Sequence, residues 1–117
     1  MFALPAQTLD GLARDLETAL SFDPPHLSYY HLTLEPNTLF ARFPPVLPDD
    51  DLAAEMQDTI AARLDAAGYD HYEVSAYARS GHRSRHNLNY WTFGDYLGLG
   101  AGAHGKLSFH DRVVRYA

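Results

Sequence analysis

The feature that most constrains this chain is a stripe of apolar residues, Leu52, Met56, Ile60 and Leu64, spaced four apart and widened by Ala53, Ala61 and Ala67. In an α-helix such residues share one face, so the segment must lay that face on another layer of structure. Its ends are marked. Asp49, Asp50 and Asp51 crowd the start, where carboxylates suit the helix dipole, and Gly68 stands where a left-handed cap closes a helix. A second amphipathic pattern precedes it, built from Leu9, Leu12, Leu16, Ala19 and Leu20. There Thr8 is the N-cap and Asp23-Pro24-Pro25 the stop, because proline cannot continue a helix.

Apolar and β-favouring runs alternate with these helices at residues 1–5, 27–34 and 71–78. The order strand, helix, strand, helix, strand predicts a parallel α/β layer. A complete α/β barrel takes about 250 residues. The chain therefore reads as an interior piece of a larger protein, with the second part of a partial barrel over residues 1–78. The proline-punctuated stretch 35–48 is too long for a plain connector. From residue 79 the style changes. The polar stretch RSGHRSRHN reads as a loop and leads to NYWTFGDY and a glycine-rich segment, 98–105. Strands follow at 106–109 and 113–116 around a turn at His110-Asp111-Arg112, so residues 79–117 predict the start of a separate β-rich region.

Composition narrows the chemistry. The formal charge of −6 argues against a nucleic-acid surface, which needs clustered Lys and Arg. No apolar run is long enough to span a membrane, and residues 1–11 lack the pattern of a signal peptide, so a cytoplasmic protein is expected. There is no cysteine, which leaves no thiolate for a disulfide, a zinc site or an iron–sulfur cluster in these residues.

Three constellations stand out. Gly100, Gly102 and Gly105 spell GxGxxG, but no helix-forming segment follows, so the glycines are read as sites of unusual dihedrals or close backbone approach. His82 and His86 are four apart in what reads as a loop, which argues against a zinc pair. A lone histidine can still serve as an axial haem ligand. The run His86 to Trp91 combines stacking rings with amide groups and fits a ligand surface or an aromatic core segment equally. Among the carboxylates, Glu35, Glu73 and Asp95 fall at strand ends or in loops, where ligands of α/β proteins bind.

Taken together, LPAQT, YYHLTLEPNTLFAR, YEVSAYAR, RHNLNYW and GDYLGLGAGAHGK make the chain resemble the radical S-adenosylmethionine family of oxygen-independent coproporphyrinogen III oxidase-like proteins. Within it, the HNxxYW segment resembles the HemW branch of haem chaperones. The resemblance runs from residue 1 to about residue 108. It implies a parent that holds a [4Fe–4S] cluster on an upstream CxxxCxxC motif, S-adenosylmethionine and haem. This piece, without cysteine, would perform no radical chemistry alone.

The resemblance also assigns positions. His86, Asn87, Tyr90 and Trp91 match the haem-linked motif, with His86 the candidate iron ligand. Gln7, Thr8, Leu32, Thr33, Leu88 and Asn89 match segments near S-adenosylmethionine in the parent. Apart from the resemblance, Gly100 and Gly102 would, as glycines, allow the backbone to approach a ligand closely. Haem or porphyrin and apo-haemoproteins are the expected partners. Two alternatives stand beside the chaperone: a true coproporphyrinogen III oxidase, and a protein-docking module using the acidic helix 50–67 and the β tail. Self-association is expected from uncovered strand edges.

Overall fold

Both amphipathic patterns fold as helices. In α1 (Leu9–Ser21) the Thr8 hydroxyl accepts from the Gly11 amide at 3.1 Å, and in α3 (Asp50–Ala66) the Asp49 carboxylate accepts from Leu52 at 2.9 Å. Gly68 follows α3 with φ of 82°, a conformation that suits a residue without Cβ. A short helix, α2 (Leu39–Arg42), interrupts the stretch read as loop and is capped by Thr38.

The computed structural model describes residues 1–117, divided into two units, Met1–Arg83 and Ser84–Ala117. In the first, α1 buries Leu12 and Leu16, and α3 buries Ala53, Met56, Ile60 and Leu64. These meet Phe2, Ala3, Tyr29, Tyr69 and Tyr77 in one core. Each large apolar side chain buried there stabilises the fold by about 1.5–3 kcal/mol. Outside the core, Arg63 grips the Glu17 carboxylate with two hydrogen bonds of 2.5 and 2.9 Å.

The sheet departs from the parallel barrel layer that the sequence predicts. It contains β1 (His26–Ser28), β2 (Asp70–Glu73) and β3 (Ala76–Ala78) in the order β1-β3-β2, with both pairings antiparallel. The stretch 71–78, read as one strand, is a hairpin that turns at Val74 and Ser75. The Glu73 carboxylate stabilises the reversal by accepting from the Ser75 amide and hydroxyl, both at 3.2 Å. Parallel pairing survives only as a bridge between Phe2 and His31, flanked by bonds from Phe2 to Tyr30 and from Leu32 to Phe2. Ala3 and Ala6 both sit at φ of 55°, and this left-handed backbone cuts the opening strand short. The result is a mixed α/β fold with two small sheets and no closed barrel.

The second unit holds α4 (Arg85–Trp91), β4 (Gly105–Ser108) and β5 (Val113–Tyr116). Helix α4 takes the last three residues of the expected loop, 85–87, and runs on to Trp91. Ser84 nucleates it by accepting from the Asn87 amide at 3.3 Å. Strands β4 and β5 pair antiparallel over four positions, from Gly105↔Tyr116 to Ser108↔Val113. Tyr96 extends that sheet through a reciprocal backbone bridge to Lys106. No helix follows Gly105, so the glycine motif lacks the context of a dinucleotide loop. No helix of the chain is long and apolar enough to cross a membrane.

Candidate functional site

Helix α4 turns the histidine and aromatic residues of the HNxxYW segment into a surface. His86 and Tyr90 are one turn apart, and their rings meet edge to face with centroids 4.7 Å apart. Tyr90 also meets Tyr96 at 4.4 Å, so three rings run in sequence from α4 toward the β4–β5 sheet. His86 is exposed, and Tyr90 and Trp91 retain 42% and 46% exposure, unusually high for aromatic residues serving as core.

The two asparagines of the segment have other duties. Asn87 lends its backbone amide to the cap at Ser84, and the Asn89 carboxamide donates to the Asp95 carbonyl at 3.0 Å. Gly94 lies under Asn89 so closely that a Cβ there would run into the carboxamide. Leu88 is half-buried, and its carbonyl accepts from the Thr92 hydroxyl at 2.8 Å.

A buried charge supports the surface. Lys106 is 8% exposed, and its ammonium donates to the Phe93 carbonyl at 2.7 Å, the Ser108 hydroxyl at 2.9 Å and Asp95 at 3.1 Å. Asp95 in turn accepts from the Ser108 amide at 2.9 Å. The Ser108 amide and hydroxyl, and then Lys106, hold the Asp95 carboxyl below its ordinary range. Phe93 sits at φ of 59° and is 79% exposed, a strained backbone held from behind by this lysine. Composition alone gave no sign of the Lys106 cluster, although Asp95 was among the three carboxylates singled out.

Gly100 and Gly102 take φ of 100° and 72° and have nothing within 4 Å of a notional Cβ. Close approach within the chain is made by Gly98, against the His104 carbonyl, and Gly105, against the Tyr116 ring.

The remaining predicted positions lie in the first unit, where their side chains serve local structure. Gln7 accepts from the Leu4 amide at 3.2 Å and donates to Asp15 at 3.0 Å, and Thr8 caps α1. Leu32 is half-buried, and the exposed Thr33 donates to Glu35 at 3.3 Å. Also in this unit, Phe2, Tyr29, His31, Glu73 and Tyr77 help line an open pocket of about 220 Å³. Burial raises the ionisation range of Tyr29, with Asp15 adding to it, and burial alone raises that of Tyr77. No group of three His, Cys, Asp or Glu side chains is placed to hold a metal ion.

No family model matches the chain, and no solved structure matches it. Curated proteins do. It is 54% identical over 116 residues, 98% of its length, to the Heme chaperone HemW of Escherichia coli. It is 43% identical over 111 residues to the Heme chaperone HemW of Bacillus subtilis. The mouse protein named Radical S-adenosyl methionine domain-containing protein 1, mitochondrial, is 46% identical over 110 residues. The chain spans 31%, 29% and 25% of these relatives.

Proposed function

Because the chain belongs, as one segment, to the HemW family of radical S-adenosylmethionine proteins, we propose that residues 84–117 present a haem-handling surface centred on α4. The observation that carries this is the exposed His86 ring set edge-on against Tyr90, with Tyr96 and the exposed Trp91 in the same unit. Haem is cargo here. A neutral imidazole supplies an axial nitrogen to iron, and flat aromatic rings cover part of an apolar macrocycle. An exposed ligand also suits release, since little protein must move to free it.

The positions that the resemblance places near S-adenosylmethionine act, in this reading, by positioning. Gln7 and Thr8 fix the start of α1, and Asn89 fixes the turn after α4. The chain's own side chains do not fit a [4Fe–4S] cluster, because they include no cysteine. In the whole protein the cluster and its reductive chemistry would rest on other residues. No side chain described here favours a decarboxylating oxidase over the chaperone.

The test is a haemin titration of the chain followed at the Soret band, beside His86→Ala. A saturable shift that weakens about tenfold or more in the variant is the expected result. Equal binding by both proteins would overturn the assignment of His86. A second reading concerns docking. The exposed Asp58 and Asp65 lie on α3, in a unit with thirteen acids against five basic residues. Charge reversal at both should weaken capture of an apo-haemoprotein, and unchanged capture would remove that face from consideration.

A further inference from the structure

Tyr90 and Tyr96 stand on either side of the turn 92–95, and their rings touch, with centroids 4.4 Å apart and planes tilted by 40°. The backbone holds both partners of this contact. Tyr90 sits on α4, where the Phe93 amide donates to its carbonyl at 3.0 Å and the Gly94 amide donates to the Asn89 carbonyl at 2.7 Å. Tyr96 is tied to β4 by two backbone bonds with Lys106, 3.0 and 2.9 Å long. Between them the Asn89 carboxamide grips the Asp95 carbonyl at 3.0 Å. The two phenols are thus kept in contact, while Tyr90 remains 42% exposed.

The redox chemistry of the unit points the same way. Cysteine and methionine sulfur are the side-chain atoms that oxidants commonly reach first. Residues 84–117 contain neither, because the chain has no cysteine and its two methionines are Met1 and Met56. The most readily oxidised groups of this unit are therefore its phenols and the Trp91 indole. His86, the candidate iron ligand, meets Tyr90 edge to face at 4.7 Å, so the phenol pair begins beside the ring that would carry the iron.

We propose that Tyr90 and Tyr96 form an oxidative modification site, joined as dityrosine when a peroxide meets haem held on α4. In the net step the O–O bond of hydrogen peroxide breaks and takes up two electrons and two protons, leaving two waters. Each tyrosine gives up one electron and one proton, and a carbon–carbon bond forms between the ring positions ortho to the two hydroxyls. The haem iron starts and ends ferric. The new bond fastens α4 to the strand that Tyr96 extends. The proposal rests on the haem reading above and adds to it a fate for oxidising equivalents released at the cargo.

The experiment treats the haemin-loaded chain with hydrogen peroxide and reads dityrosine fluorescence and peptide masses. A second arm oxidises the haem-free chain with light, ruthenium tris-bipyridyl and persulfate, which removes single electrons without haem. Both arms should join the peptides holding Tyr90 and Tyr96 with the loss of two hydrogens, independently of protein concentration, and Tyr96→Phe should abolish that product. If haemin binds by its Soret shift and peroxide leaves the pair unjoined, the proposal is overturned while the haem surface stands. Oxidation confined to Trp91, or spread without preference over the eight tyrosines, overturns it equally. If haemin does not bind but the ruthenium arm joins residues 90 and 96, the haem reading falls and the pair stands as a site for oxidants from solution. If neither arm joins them, the pair is no modification site.

Discussion

The two units keep their stability in different places. The first hides Leu12, Leu16, Met56, Ile60 and Leu64 almost completely, and its charged contacts lie outside. The second buries only Gly105 and Lys106, leaves Phe93, Leu97, Leu99 and Phe109 half or more uncovered, and leaves Trp91 nearly so. An apolar core stabilises in proportion to the area it removes from water. A buried ammonium stabilises only while each donor has an acceptor. The first unit therefore resembles a scaffold. The second is a hydrogen-bonded frame that leaves its aromatic residues uncovered.

The largest effect should come from breaking the first kind of stability. Leu64→Ala empties part of a fully buried site and should cost about 2–5 kcal/mol, read as a lowered thermal midpoint. Next should be Lys106→Met, which strands the Phe93 carbonyl and Asp95 together. Amide exchange at Ser108 should accelerate about tenfold or more, while amides of α3 keep their protection. Equal acceleration in both units would erase the contrast drawn here.

A smaller effect should follow pH. Asp95 ionises more readily in the folded chain than unfolded, so its contribution is present above the ordinary carboxylate range. It is lost as pH falls through the lowered folded value. The Ser108 amide resonance should therefore hold its position at neutral pH and move only in acid, and a shift centred near neutrality would contradict the assignment. Smallest is Arg63→Ala, since both partners of that bridge are largely exposed, and the thermal midpoint should barely change. At high protein concentration the uncovered outer edge of β5 should promote self-association, which sedimentation would detect.

The same contrast explains what the sequence disclosed. Helices α1 and α3 were legible because burial imposes a period on apolar residues and Thr8, Asp49 and Gly68 mark the ends. Helix α4 buries nothing completely, so it leaves no apolar period, and its one local signal is Ser84 at the cap. The β2–β3 hairpin was hidden because its turn uses Val74 and Ser75 rather than glycine, proline or asparagine. The run from His86 to Trp91 stood out by its residue types, but only the resemblance tied it to haem. Their exposure, the ring contacts with Tyr96 and the lysine behind Phe93 depend on contacts distant in sequence.

The fit between Asn89 and Gly94 has a consequence for how this segment can change over generations. The carboxamide occupies the volume that any side chain at position 94 would need, so a substitution there must displace it. A mutation at 94 alone pushes the end of the Asn89 side chain aside and breaks its bond to the Asp95 carbonyl. A change of Asn89 to a smaller residue clears the same space, at the loss of the same bond. Homologues that lack glycine at this place should therefore also lack the bond between the side chain at position 89 and the carbonyl at position 95.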